Sequence, residues 1–94
     1  MSKNEEKTMQ AIALSYNAKN AAPKVVAKGS GYIADKIVFS AKQNSVPIYQ
    51  NKTLAGMLMA VDIDREIPPE LYQAVAEILA YVYRVDQRLG KRQK

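Results

Sequence analysis

Short runs of apolar residues in the first third of the chain predict β-strands. Residues 9–16 alternate large and small apolar side chains, and residues 24–28 centre on the β-branched pair Val25 and Val26. The polar residues 17–20 between these runs are turn formers. So short a connection predicts that the two strands pair antiparallel.

Apolar positions three and four residues apart predict two helices in the middle of the chain. The first is expected to be capped by Ser30 and to end near Asn44. The second is expected to run from its cap, Asn51, to about Ala60. Residues 46–49, between the helices, are a short buried-strand candidate, which a right-handed crossover would place parallel to the second strand. The inward side of the second helix is predicted to comprise Leu54, Met57, Leu58 and Val61.

The last helix has the widest apolar surface. Pro68 and Pro69 fit a sharp start. Its apolar residues form two adjacent stripes, one of Leu71, Val75, Ile78, Val82, Val85 and Leu89 and one of Tyr72, Ala76, Leu79 and Tyr83. Either both stripes enter the core or part of the second remains exposed for a partner. The predicted fold class is α/β: a small mixed β-sheet, with an antiparallel first pair plus a parallel strand through a βαβ crossover, packed against three to four helices.

The length of 94 residues suits one small domain. We expect a disordered N-terminal segment at residues 1–8, a single domain at residues 9–88 and a basic flexible tail at residues 89–94. No apolar run is long enough to span a bilayer or to serve as a signal peptide, which predicts a cytoplasmic protein. The net charge of +5 admits nucleic acid, anionic lipid or acidic proteins as partners.

Motifs for small-molecule chemistry are present only in incomplete form. Residues 29–34, GSGYIA, fit a dinucleotide-binding loop, but the acidic residue that such a site requires after the next strand is missing. Asp62, Asp64 and Glu66 alternate as in a calcium loop that lacks its later glycine and glutamate. Cysteine and histidine are absent, which excludes the common zinc sites and nucleophile pairs. We predict no enzymatic activity, no catalytic residue, no cofactor and no metal.

Three segments carry a resemblance to a known family: APKVVAKG at residues 22–29, VPIYQN at residues 46–51 and EIPPELYQAVAEILAYVYR at residues 66–84. Together they resemble the cytoplasmic domain of the FlhB/YscU family, the membrane-anchored switch proteins of flagellar and virulence type III export machines. The resemblance spans roughly residues 10–83. It implies a small mixed sheet wrapped by helices.

The family's self-cleaving Asn-Pro-Thr-His motif precedes the first strand, and the matching positions here are Glu6, Lys7, Thr8 and Met9. Only the threonine is retained. Cleavage in the family depends on an asparagine side-chain amide that attacks its own carbonyl. Glu6 offers a carboxylate instead, and Lys7 removes the φ restriction of proline. We therefore predict that this chain does not cleave itself.

The resemblance implies a non-enzymatic binding module of type III protein export, involved in substrate recognition or specificity switching. The implied partners are export-gate components, export substrates and a truncated membrane homologue, met at the periphery of the membrane. The candidate contacts are an apolar loop pair and two residues of the last helix that family packing would bring near it: Ala22, Pro23, Ala76 and Leu79. The competing interpretation is that these four only close the core.

A small basic RNA-binding module is the rival function. Its usual mark is a platform of aromatic residues on which bases stack. Five of the seven aromatic residues fall on predicted helices, so nucleic acid is not the expected partner.

Overall fold

The computed structural model describes residues 9–16 and 22–93, with side chains as far as residue 82 and at Arg84. It is a mixed α/β fold, as predicted, with one antiparallel pair of strands and helices packed around it. The elements in chain order are β1 (Gln10–Ser15), β2 (Lys24–Ser30), α1 (Tyr32–Gln43), α2 (Lys52–Leu58), a 3-10 turn (Pro69–Leu71) and α3 (Tyr72–Gln93).

The β1–β2 pair has two faces of different composition. Its antiparallel register runs from Gln10 opposite Ser30 to Ser15 opposite Lys24, with an irregularity after Ala13. Because side chains alternate across a strand, the large and the small apolar residues of β1 lie on opposite faces. A side chain at Gly29 would overlap Ile33 of α1, so the missing Cβ lets this helix approach the sheet closely.

The other face of the sheet carries the core. The buried cluster comprises Ala22, Val25, Leu54, Leu58, Ile67 and Val75, and partly buried residues packed against it include Ile12, Leu14, Val61, Leu71, Ile78 and Leu79. Met57, predicted to face inward with Leu54 and Leu58, is instead half exposed. Since α2 has only seven residues, its two buried leucines already fill the contact that so short a helix makes.

Residues 64–67 pair with the edge of β2. Val25 N–H donates to Arg65 O at 3.0 Å, Asp64 N–H donates to Val25 O at 2.6 Å, and Ile67 N–H donates to Pro23 O at 2.9 Å. An isolated antiparallel bridge joins Lys24 to Glu66 within the same stretch. The residue types do not indicate this pairing, because three of the four residues are charged.

The parallel strand predicted at residues 46–49 is not confirmed. The residues have no strand assignment, and Val46, Ile48 and Tyr49 are about half exposed. Two consecutive donors are missing for a sheet ladder, because Val46 N–H already donates to Ala41 O at 2.8 Å and Pro47 has no N–H. The end of α1 therefore uses the group that would begin the strand.

The helix boundaries partly follow the predicted caps. Ser30 is the last residue of β2, and the N-cap of α1 is Gly31, which has a φ of 58°. Helix α1 ends at the expected place, with Asn44 as its C-cap. At α2, the side chain of Asn51 accepts a hydrogen bond from Leu54 N–H at 3.0 Å, so the predicted cap is confirmed there.

Helix α3 begins after Pro68 and Pro69 through the 3-10 turn. In its first stripe, Val75 is buried and Ile78 is partly buried. In the second stripe Tyr72 and Ala76 are exposed, so that stripe is only partly taken up by the core. The backbone of α3 continues to Gln93, through the stretch expected to be a tail, and the flexibility of that stretch stays a prediction. The predicted disorder of residues 1–8 lies outside the described residues.

Candidate functional site

An open apolar pocket of about 320 Å³ lies between the start of β2 and helix α3. It is lined by Tyr16, Ala22, Pro23, Tyr72, Val75, Ala76 and Leu79. None of these side chains is charged. The cavity is therefore suited to apolar side chains of a partner.

Two local features hold the walls of the pocket in place. On one side, the carbonyl of Pro23 accepts the hydrogen bond from Ile67 N–H, which ties the residues before β2 to the 64–67 segment. On the other side, Tyr72, Ala76 and Leu79 follow a spacing of four and three residues, so they form one line along α3. Tyr16 directly follows β1 and completes the rim.

The floor and the rim of the pocket differ in exposure. Ala22 and Val75 are almost fully buried and form part of the core cluster. Tyr16 and Tyr72 are exposed by 54% and 42%. A partner would thus meet an apolar floor framed by two phenol rings, whose hydroxyl groups can form hydrogen bonds with a polar backbone nearby.

The structure brings the four predicted contact residues together in this one pocket. Ala22 and Pro23 are buried and Leu79 packs against the core, whereas Ala76 is exposed. The burial of Ala22 and the packing of Leu79 against the core agree with the interpretation that these residues close the core. Whether a partner occupies it stays a prediction.

Sequence reasoning missed Tyr16, Val75 and Tyr72 as pocket residues. Tyr72 was placed in the second apolar stripe of the last helix, and its position four residues before Ala76 was the available signal. Tyr16 had no such signal, since its proximity to α3 arises from the packing of β1 against the remainder of the fold.

Of the four degenerate cleavage-motif positions, only Met9 is among the described residues. It is exposed, and its carbonyl accepts a hydrogen bond from Gly31 N–H at 2.7 Å. Glu6, Lys7 and Thr8 lie outside the described residues. The prediction that the chain does not cleave itself is untested.

The two incomplete motifs have structural explanations. Gly29 allows the close approach of Ile33, and Gly31 has the positive φ at the start of α1. Asp62, Asp64 and Glu66 are exposed, and the N–H of Asp64 pairs with β2. Among the described residues, no group of three or more acidic, histidine or cysteine side chains is arranged to hold a metal ion. Within the same residues, no helix is both long and apolar enough to cross a bilayer.

Comparison with a family model and comparison with known proteins both place the chain beside FlhB-like proteins. Residues 7–82 match the model of the FlhB HrpN YscU SpaS Family. The chain is 38% identical over 86 residues to the uncharacterized protein YlqH of Bacillus subtilis, and the match covers 90% of this chain and 92% of that protein. It is 54% identical over 74 residues to the flagellar biosynthetic protein FlhB of Aquifex aeolicus, covering 77% of this chain but 21% of that protein.

Solved structures agree with the sequence matches. The fold resembles the crystal structure of the cytoplasmic domain of FlhB from Shewanella putrefaciens, with a TM-score of 0.76 and 38% identity, over 79% of this chain and 63% of that one. It also resembles the crystal structure of the PscU C-terminal domain, with a TM-score of 0.74 and 29% identity, over 78% of this chain and 95% of that one. The chain spans about one fifth of the length of the FlhB protein from Aquifex.

Proposed function

Because the chain belongs to the FlhB HrpN YscU SpaS family, we propose that it is a non-enzymatic binding module of a flagellar or related type III protein export apparatus. The relatives that support this role are named flagellar biosynthetic proteins. Its task is to recognise export substrates or gate components at the cytoplasmic side of the export site. In this role it acts beside, or in place of, the corresponding domain of a larger membrane homologue.

The apolar pocket is the observation that carries the proposal. It is lined by all four predicted contact residues, with the Pro23 carbonyl bonded to Ile67 N–H and the α3 residues in one line. A shallow cavity of about 320 Å³ accepts two or three apolar side chains, not a whole domain. Contacts of that size are weak and transient, as sorting successive substrates requires.

Two exposed alanines of α3 provide a matched test of the pocket. Ala76 lines it, whereas Ala74, two residues earlier on the same helix, is exposed but does not line it. Ala76→Glu places a charge and added bulk in the apolar cavity, while Ala74→Glu makes the identical change outside it. Both substitutions retain good helix propensity, so both variants are expected to fold.

The measurement is affinity capture of the tagged protein and both variants from its own cells, with bound proteins identified by mass spectrometry. We expect export-gate components or rod, hook and filament subunits to be captured by the unmodified protein and by Ala74→Glu, and to be lost with Ala76→Glu. Leu79→Asp should act as Ala76→Glu does, provided that circular dichroism shows that its fold is retained, because Leu79 packs against the core. Equal capture by Ala74→Glu and Ala76→Glu would exclude the pocket, and capture of RNA-binding proteins alone would favour the rival function.

Absence of self-cleavage is the second part of the proposal. The purified full chain should remain a single species of 10.5 kDa during long incubation at neutral pH. The matched variant restores the motif as Glu6→Asn with Lys7→Pro and Met9→His, and we expect it to cleave between the first two of these positions. Cleavage of the unmodified chain at that bond would contradict the proposal.

A further inference from the structure

Helix α1 carries two large aromatic side chains on the side facing away from the sheet. Tyr32 and Phe39 are exposed by 73% and 64%, the highest values among the large apolar side chains of the described residues. Tyr32, Lys36, Phe39 and Gln43 follow one another at intervals of four, three and four residues, so they form a line about 16 Å long on the helix surface. We call this line the outer stripe.

The opposite side of α1 already supplies its contact with the fold. Ala34 is fully buried, and the partly buried residues of the helix lie on the same side: Ile37, Val38 and Ala41. The fold therefore has no need of an aromatic residue on the outer stripe. Isolated exposed apolar residues are common, but these two aromatic rings share one solvent-facing stripe and have no role in the core that the described residues form.

One lysine lies within the outer stripe, between the two aromatic residues, and a second lies beside the stripe. The Lys36 ammonium lies 5.0 Å from the centroid of the Tyr32 ring, and Lys42 is in the last turn of the helix, on the other side of Phe39. The only acidic residue of α1 is Asp35, in its first turn. The outer face thus combines two aromatic rings with two lysines and one aspartate, which leaves it with a net positive charge.

This composition narrows the class of partner. Protein interfaces favour arginine and are depleted in lysine, and α1 has lysine but no arginine. Lys36 occupies one face of Tyr32, which halves the ring surface that this tyrosine offers to a stacked nucleobase. Interfacial helices combine aromatic rings at the level of lipid headgroups with lysines that reach anionic phosphates.

We propose that the outer stripe of α1, together with the adjacent Lys42, binds the surface of an anionic lipid bilayer, with Tyr32 and Phe39 among the headgroups and both lysines at the phosphates. The helix lies on the surface and does not enter the hydrocarbon core. The pocket belongs to the core side of the sheet, whereas α1 packs near Gly29 on the other side. A membrane-bound molecule therefore keeps its pocket free for a protein partner.

The test is sedimentation of the full chain with lipid vesicles. Vesicles of phosphatidylcholine alone are compared with vesicles of phosphatidylcholine mixed with phosphatidylglycerol, at low and at high salt. We expect binding to the mixed vesicles only, with loss of binding as salt rises, because screening weakens the attraction of exposed charges. Each lysine near an anionic surface contributes about a fivefold gain in partitioning, so Lys36→Gln with Lys42→Gln should lower it by about 25-fold.

The aromatic rings have a matched control elsewhere in the fold. Tyr49 and Tyr81 form an edge-to-face pair with ring centroids 5.8 Å apart, and they are exposed by 48% and 53%. Tyr32→Ser with Phe39→Ser should lower partitioning by about tenfold, because the rings supply the apolar contact. Tyr49→Ser with Tyr81→Ser should leave it unchanged. Circular dichroism of every variant checks the fold.

Three results would overturn the proposal. The first is no binding to phosphatidylglycerol vesicles at low salt. The second is an equal loss of vesicle binding in the variant Tyr32→Ser with Phe39→Ser and in the control variant Tyr49→Ser with Tyr81→Ser. That result would show that the rings of α1 do not form the contact. The third is binding of a single-stranded RNA oligomer that depends on Tyr32 and Phe39 while vesicles remain unbound. None of these results bears on the pocket, so the lipid proposal fails or stands separately from the export function.

Discussion

Residues 46–50 follow helix α1 and residues 64–67 follow helix α2, but the two segments lie in opposite environments. Each segment begins at or next to a residue with positive φ, Ser45 at 58° and Asp64 at 74°. The first segment, VPIYQ, is the more apolar, yet it is exposed. The second, DREI, is mostly charged, yet it pairs with β2 and buries Ile67.

In these two segments, the availability of backbone N–H donors determines whether the segment pairs with the sheet, and its apolar content does not. Val46 N–H is used by the end of α1 and Pro47 has none. In the second segment, the N–H groups of Asp64 and Ile67 both reach carbonyls of the β2 region. A hydrogen-bonded edge then carries one apolar side chain into the core, and this is sufficient to hold an otherwise polar segment.

The largest expected effect comes from the one apolar residue of the second segment. Ile67 is 2% exposed, whereas Ile48 of the first segment is 45% exposed. Ile67→Ala should lower the free energy of unfolding by about 3 kcal/mol because it leaves a cavity in the core. Ile48→Ala, the same change at an exposed site, should cost less than about 1 kcal/mol. Chemical denaturation measures both, and equal losses would show that residues 46–50 are buried in solution.

A smaller loss of stability is expected from the lysine that binds the residues before the second segment. The Lys28 ammonium donates hydrogen bonds to Met59 O and Val61 O, each at 2.8 Å, and so joins β2 to the end of α2. Lys28→Met should cost about 1–2 kcal/mol because two carbonyls lose a charged donor. Lys36→Met, at an exposed lysine, should change the free energy of unfolding by less than about 0.5 kcal/mol.

If the Lys28 variant unfolds at the same denaturant concentration as the Lys36 variant, its two hydrogen bonds contribute nothing measurable. The turn after α2 would then be held by its own backbone hydrogen bonds, by Val61 against the core and by the pairing of residues 64–67 with β2.

A still smaller effect, a gain in stability, is expected at the residue just before the first segment. Ser45 N–H donates to Lys42 O at 3.4 Å and Val46 N–H donates to Ala41 O at 2.8 Å, the two bonds of a Schellman motif, whose left-handed position favours glycine. Ser45→Gly should therefore raise the free energy of unfolding by about 0.5–1 kcal/mol. Ser45→Ala should give no gain, because alanine has the same Cβ strain.

Asp64→Gly sharpens the same comparison. Aspartate tolerates the left-handed conformation better than serine does, so the gain from glycine at this position should be smaller, below about 0.5 kcal/mol. Thermal or chemical denaturation of Ser45→Gly, Ser45→Ala and Asp64→Gly measures which substitution raises the free energy of unfolding most. A larger gain at Asp64 than at Ser45 would mean that the pairing of residues 64–67 forces strain on its first residue.

Much of the local structure could be predicted from the sequence because it depends on neighbours in the chain. The antiparallel β1–β2 pair follows from two apolar runs and a short connection. The cap at Asn51 and the end of α1 at Asn44 follow from residue types at fixed offsets. The four candidate contact residues, Ala22, Pro23, Ala76 and Leu79, were predicted from a resemblance, and they line one cavity in the structure. That a partner binds them stays a prediction.

The residues alone were enough to predict the two paired strands, the three helices, the family and the apolar stripes of α3. The tertiary structure alone decided that the charged 64–67 segment borders the sheet, that residues 46–50 do not, and that Tyr16 reaches the pocket. The physical reason is the range of the interactions. Caps and periodicity are set within a few residues, whereas hydrogen-bond partners at a sheet edge are chosen among segments far apart in the chain.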